Sequence, residues 1–595
     1  MFKELKSSTC QYLLYFSIAL TIVLLMGPHG AEHLAQGTLV NPDSYMRLVR
    51  IQEALDHGRW FGDVVSGDVS GQGDVLPWSH LLDGLILLLR APLRAIFQPD
   101  KALLWAGAIS GPLSVGLLGV AGAWAVAPIA ERAWLWIVPV GVAVAPATIS
   151  YGQFGCVTHH LALAVLVVAA WGAGGRAAFG SVWGGGLTGL FAGIGIWLSP
   201  EAMPFGMMAL GAVYLSWATR PVAPVALALA AGGSALLASI AFALIVDPPF
   251  TGRAAPQLDR LSITFLYLAL ITCALCWIPR GLMRIRLAVS ARFGIVGFGL
   301  VAGLALWLAL FPAYLHGLGA LTTPEEAEVM STFALEWRPL DTPNLFAMYA
   351  LTGVLAVIGA VWLAIQQDRD LPRILWTFAA LCGAACTGLA ILHGRFGLYP
   401  AVAAAMLLPV IRSSPAVLRR GLAVRAGLVA GFFYVPYTVA TVRDAARMVL
   451  GTVPSVEAEA YGARKADRCP VRSAATVLAS YFGAVVLADV DDGPELLFRT
   501  HVGIVGSLYH SGAAGFMRAR AAWRARELDD VPSELRATGA KYVLVCPGSP
   551  RTTLVDGPTT TLFDRLNDGD PPAWLHPLAH QPGSGWMIYE IASTH

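Results

Sequence analysis

Long apolar blocks separated by short polar turns fill roughly the first three quarters of the chain, and their lengths suit the hydrocarbon core of a bilayer. The first, Tyr12–Met26, is followed by blocks near 102–124, 133–149, 160–174, 182–198, 203–218, 222–246, 260–278, 293–312, 345–365, 374–391, 396–411 and 426–442. This pattern predicts about thirteen spans. Leu81–Phe97 is apolar as well, but it contains Asp83, Arg90 and Arg94, with Pro77 and Pro92 at or near its ends. A charge in mid-span costs roughly 2.5–3.5 kcal/mol on insertion scales, so this stretch predicts an interfacial helix. Asn41–Arg59 predicts another, with Tyr45, Leu48, Val49 and Leu55 recurring at helical spacing and Arg47, Arg50 and Glu53 on the polar side. Such a helix is expected to lie along the membrane surface with Asp43 facing water in its first turn, either as a helix cap or as a reactive acid.

Composition strengthens the membrane reading. The chain is 56% hydrophobic and only 13% charged, about half the charge of a soluble domain. Its net charge of +2 gives no electrostatic footprint for nucleic acid. The distribution of arginine sets the topology. If Tyr12–Met26 runs inside to outside, the inner turns carry Arg132, Arg176, Arg220, Arg280, Arg284, Arg286, Arg292, Arg369, Arg373, Arg412, Arg419, Arg420 and Arg425. Only Arg253, Arg260, Arg338 and Arg395 fall in the short outer loops. Lys3 and Lys6 precede the first block and no small-residue cleavage site follows, which reads as a retained signal-anchor.

After about residue 444 the sequence turns polar, with candidate strands Ala484–Val490, Val502–Gly506, Lys541–Cys546 and Trp586–Ile591 between helical patterns at Val471–Phe482, Ala513–Glu527 and Thr560–Asn567. The expected division is a membrane domain, 1–443, with a large first external loop at 27–101, and a small α/β domain, 444–595, outside the cytoplasm. Six cysteines, Cys10, Cys156, Cys273, Cys276, Cys382 and Cys386, sit in or beside apolar helices and read as small hydrophobes. Cys469 and Cys546 lie in the polar tail and are candidates for a disulfide in an oxidising compartment.

With this topology, polar clusters converge on the outer face. They are Asp43; the turn Tyr151–His160; the long loop Ala313–Asn344 with Glu325, Glu326, Glu328, Glu336 and Arg338; and His393-Gly394-Arg395, followed by Phe396 and Tyr399. The adjacent His159 and His160 suit a metal site, a proton carrier or interfacial hydrogen bonding. The acidic run Glu325–Glu328 reads as a solvated helix face, whereas Glu336 has apolar neighbours. Arg395 opposes the inner bias of arginine and suits a phosphate, with snorkelling as the alternative. Carboxylates, imidazoles and a guanidinium at one interface are the inventory for binding a lipid phosphate, directly or through a divalent cation.

The order of these elements resembles the C-fold glycosyltransferases, and among them the oligosaccharyltransferase catalytic subunits. N-P-D-S-Y-M-R-L-V-R resembles the first-loop acidic motif, G-C-V-T-H-H stands where a second acidic motif is found, F-A-L-E-W-R-P-L resembles the external-loop motif, and H-G-R-F-G-L-Y resembles the donor-phosphate segment. The resemblance implies a polytopic enzyme that transfers a sugar or oligosaccharide from a polyprenyl-linked donor to an extracytoplasmic acceptor, whether protein, glycan or lipid. It implies Asp43 and Glu336 in catalysis, and Mg²⁺ or Mn²⁺ held by Asp43, His160 and Glu336. Arg395, His80, Tyr399 and His159 would contact the donor. Two departures stand out. Thr158 replaces an expected Asp, which reduces the charge available to a cation, and the tail lacks the Trp-Trp-Asp acceptor motif, A-D-V-D-D-G-P-E-L-L at 488–497 being its nearest counterpart. A transporter for a polyprenyl-linked glycan is the alternative from another class, and a non-catalytic sensor is a third.

Overall fold

The structure is a computed structural model and describes residues 2–27, 35–58, 64–333, 339–340, 342–419, 427, 468–549, 560–578 and 585–592. The chain is mostly helical and is an integral membrane protein of several spans. Among the described residues, eight helices are long and apolar enough to cross a membrane, or nine if the bent pair Arg132–Val144 and Pro146–Gly152 is one span. The break in that pair falls at Ala145-Pro146, where proline pushes the residue before it out of the helical region. Val182–Leu198 and Leu351–Ile365 are shorter apolar helices. The expected block at 426–442 lies almost wholly outside the described residues. Leu81–Leu93 forms a helix too short to be a candidate span, with Leu82, Asp83 and Ile86 buried.

Contacts divide the chain into two compact units. The first comprises Met1–Thr38, Trp78–Gly317 and Glu336–Arg443 and holds the apolar helices. Within it, the helices Val182–Leu198 and Ala223–Val246 pack backbone to backbone. A Cβ on Gly185 would overlap the Ala228 carbonyl, and one on Gly189 would overlap the Gly232 carbonyl. The Gly-x-x-x-Gly spacing puts both on one helix face, so the helices gain dispersion contacts that larger residues would forbid. Cys156, Cys276 and Cys386 are buried free thiols, whereas Cys10 is exposed.

The second unit joins Leu39–Pro77 and Leu318–Leu335 to Asp444–His595. A ribbon of β1 (Val64–Val65) and β2 (Asp74–Val75) lies in its first segment. Its main sheet contains β3 (Val485–Leu487), β4 (Gly503–Ile504), β5 (Tyr542–Val545), β6 (Leu575–Pro577) and β7 (Met587–Ile591) in the order β4-β3-β5-β7-β6. Pairing is parallel at β3–β4 and β3–β5 and antiparallel at β5–β7 and β6–β7. The all-buried Tyr542–Val545 is the central strand and packs with Leu487, Trp523, Leu562 and Tyr589. Beyond β4, the Ile504 N–H donates to the Gly67 carbonyl at 2.8 Å, so the first-loop backbone continues the sheet edge. A disulfide joins Cys469 to Cys546 across 77 residues, which in the chain-entropy account contributes about 4 kcal/mol.

The helix Pro42–Asp56 departs from expectation. Its polar side does not face water, because Arg47 and Arg50 are 2% and 1% exposed, while Leu55 is 41% exposed. Within its unit it packs on the helix Gly493–Arg499, with Tyr45 and Phe498 rings 5.7 Å apart and Arg499 reaching the Tyr45 hydroxyl at 3.4 Å. Its cap is Asn41, whose side chain accepts from the Ser44 N–H at 2.9 Å. Asp43 is therefore free of the capping role.

Candidate functional site

Three turns of the first unit bring polar side chains together. In the first, Gly155 adopts φ of 90°, in the left-handed region that glycine tolerates, and its N–H donates to the Ala108 carbonyl. His159 then stands as N-cap of the helix His160–Ala178. In the second, Pro200–Ala202 forms a single 3-10 turn whose Ser199 side chain accepts from the Glu201 N–H. The third is the turn Gly394–Gly397, which carries Arg395.

His159, His160 and Glu201 place one donor atom each within 4.8 Å of one another. Two imidazoles and a carboxylate at that spacing fit a single divalent cation, and imidazole donors favour a transition ion such as Mn²⁺ or Zn²⁺ over Mg²⁺. Glu201 also pairs with Arg395, whose Nη1 lies 2.8 Å from Oε1, with the two side chains 17% and 21% exposed. An aromatic wall flanks these groups. The Tyr151 ring lies 4.5 Å from His160, and Phe205 and Tyr399 stack at 3.9 Å. Trp171 donates to the Phe205 carbonyl at 3.1 Å and is one of the residues lining an apolar cavity of about 920 Å³, which runs from Cys386 and Met406 to Ile129, Ser181 and Ser413 at the opposite ends of these helices.

His80 belongs to a different cluster of the same unit. Its Nδ1 lies 2.8 Å from Asp247 Oδ1, and Arg260 Nη2 lies 2.6 Å from that oxygen. The Trp197 indole donates to Asp247 Oδ2 at 2.8 Å. His80, Asp247 and Arg260 are nearly inaccessible, at 5%, 2% and 2% exposure. Burial alone would raise the Asp247 carboxyl, but the His80 hydrogen bond and the Arg260 charge outweigh it and hold it below the usual carboxylate range.

In the second unit, three hydroxyls on alternate residues of one segment meet three carboxylates of the first loop. Tyr509 donates to Asp43 Oδ1 at 2.6 Å, Ser507 donates to Asp68 Oδ2, and Ser511 donates to Asp74 Oδ2 at 3.0 Å. Ser507 and Tyr509 are two residues apart and Ser511 follows in the 3-10 turn His510–Gly512, so a single segment serves all three acids. Burial first, then the charge of Asp43, pushes the Tyr509 phenol well above its usual range, and Arg47 works against that rise. Burial raises the Asp68 carboxyl to about 7 against the hydrogen bonds from Ser507 and Val69.

Of the expected residues, His159, His160, Arg395 and Tyr399 are thus neighbours in the first unit, Asp43 is held by Tyr509 in the second, and Glu336 lies outside the described residues. Glu201, Asp247 and Tyr509 were missed. Glu201 and Asp247 had a readable signal, since each is an acid in a short turn on the outer side of the expected topology. Tyr509 had none, lying in a polar segment far along the chain from Asp43.

No family model matches the sequence, and none of the curated proteins is detectably similar to it. The fold does have solved counterparts. The archaeal oligosaccharyltransferase AglB of Archaeoglobus fulgidus, in complex with an inhibitory peptide and a dolichol-phosphate, superposes with a TM-score of 0.62 at 13% identity, over 90% of this chain and 69% of that one. The same organism's enzyme in complex with Zn and sulfate gives 0.57 at 14% identity, over 90% and 67%. Its form tethered to an acceptor peptide containing the NVT sequon gives 0.59 at 13% identity, over 90% and 69%. At such identities the likeness is one of fold, and at that level the resemblance expected from the motifs holds.

Proposed function

We propose that the chain is a membrane glycosyltransferase that moves a sugar or oligosaccharide from a polyprenyl phosphate or pyrophosphate to an acceptor outside the cytoplasm. The observation that carries this reading is the grouping of His159, His160, Glu201 and Arg395. A lipid-linked sugar needs a cation or guanidinium for its phosphate and an apolar channel for its tail, and this unit supplies both kinds of surface.

In this reading the Arg395 fork grips phosphate oxygens and neutralises the charge that grows on them as the glycosidic bond breaks. The Tyr399–Phe205 stack excludes water on one flank and leads by way of Trp171 to the cavity, which takes the isoprenoid chain. A divalent cation on His159, His160 and Glu201 would supply further Lewis-acid stabilisation of the leaving phosphate. Asp43 orients or deprotonates the acceptor, its carboxylate held by Tyr509, and Glu336 assists. The buried His80 is bonded to Asp247, so we read its contribution to donor binding as holding the start of the helix Leu81–Leu93.

The test is incubation of purified protein with labelled polyprenyl-linked sugars and candidate acceptors, with and without a chelator. Release of polyprenyl phosphate that is lost in Asp43→Asn, with the variant still folded, is the expected result. Binding of the lipid without any bond cleavage would make the protein a carrier instead.

A further inference from the structure

We propose that Glu201 is exchanged between Arg395 and a divalent cation on His159 and His160, so that binding of the cation and binding of a phosphate promote one another. The proposal rests on reading this site as one for a cation and a phosphate, and it assigns to that site a coupling device.

The geometry gives one carboxylate two claims upon it. Glu201 Oε1 lies 2.8 Å from Arg395 Nη1, while a Glu201 oxygen also lies within 4.8 Å of the donor nitrogens of His159 and His160. A cation held by the imidazoles takes its ligands at about 2.0–2.2 Å and draws the Glu201 carboxylate into the set. Much of its negative charge is then spent on the cation, and the ion pair with the guanidinium weakens. The Arg395 donor that Glu201 held then turns to an anion. The converse path is as direct. A phosphate on Arg395 competes with Glu201 for the same donors and carries more charge, which releases the carboxylate toward the imidazoles. The pair is mostly shielded from solvent, so the Coulomb terms at stake exceed those of a surface ion pair. Linkage requires the two effects to be equal, since each ligand must change the affinity of the other by one common factor.

The arrangement also accounts for a resting state. Without ligands, the charges of Arg395 and Glu201 offset each other.

The test is Mn²⁺ binding to the full chain in detergent, read from the free-ion EPR signal, in wild type, Arg395→Gln, Glu201→Gln, the double variant and His159→Ala/His160→Ala. Arg395→Gln is expected to bind Mn²⁺ about tenfold more tightly than wild type. Inorganic phosphate is expected to tighten Mn²⁺ binding in wild type and to have lost most of that effect in Arg395→Gln. In the Glu201→Gln background, Arg395→Gln should leave Mn²⁺ affinity unchanged, because the carboxylate that couples them is gone. A gain from Arg395→Gln that persists in that background would mean that the guanidinium repels the ion directly, and would overturn the exchange. Equal Mn²⁺ binding by wild type and the double-histidine variant would instead remove the cation site itself, so the two failures are told apart.

Discussion

At the scale of single residues, the acceptor role proposed for Asp43 can be tested through the hydrogen bond that Tyr509 donates to its Oδ1. Tyr509→Phe deletes that bond while keeping the ring. The expected outcome is a fall of about tenfold in kcat, with KM for the lipid donor unchanged, measured by product release. Asp68 offers a test of a different kind. Its folded value of about 7 stands above the 3.8 of the free carboxyl, so between the two the folded chain keeps a proton that the unfolded chain has lost. The contribution is fully present below about pH 4 and is lost as pH rises through about 7, so this unit loses stability toward alkaline pH. Asp68→Asn keeps an acceptor for the Val69 N–H and offers Ser507 a donor, yet cannot ionise. Its unfolding midpoint should vary less between about pH 5 and pH 8 than that of wild type, by scanning fluorimetry.

Among elements, apolar periodicity and proline placement mark the long apolar helices, because burial in lipid or core is a local demand on every residue of a span, although thirteen spans were expected and eight or nine helices among the described residues qualify. The sheet was legible for the same reason at β5, where Tyr542–Val545 is continuously apolar. The weak edge strand Leu575–Pro577 carries a histidine and a proline and had no such signal. The helix Pro42–Asp56 misled because an amphipathic pattern shows which face is polar, not whether that face meets water. Arg47 and Arg50 are buried all the same. The pairing of Glu201 with Arg395 was illegible for a related reason: the residues are far apart in the chain, and only packing makes them neighbours. Packing also dictates the glycines at Gly185 and Gly189, whose absent side chains admit the Ala228 and Gly232 carbonyls. Gly189→Val would force the helices Val182–Leu198 and Ala223–Val246 apart. A loss of several degrees in the melting temperature of the detergent-solubilised protein is expected, with a smaller loss for Gly175→Val, where no atom stands in the way.

For the molecule as a whole, the distribution of charge predicts which side of the membrane each unit faces. Arginine is concentrated in turns such as Gly281–Arg292, whereas the turns bearing His159, Glu201 and Arg395 are nearly free of it apart from Arg395 itself. Moving the basic turns outward would oppose the strong bias of insertion, so these polar turns, and with thirteen spans the sheet-bearing tail, are predicted to lie outside. The disulfide between Cys469 and Cys546 agrees with an oxidising compartment for that tail. Single cysteines at the exposed positions Arg286 and Ser533 provide the measurement, against the native protein as background. In intact cells a membrane-impermeant maleimide should label Ser533→Cys at once and Arg286→Cys only after permeabilisation. The reverse pattern would put Arg395 and its neighbours on the cytoplasmic side, and an acceptor outside the cell membrane would then be out of reach.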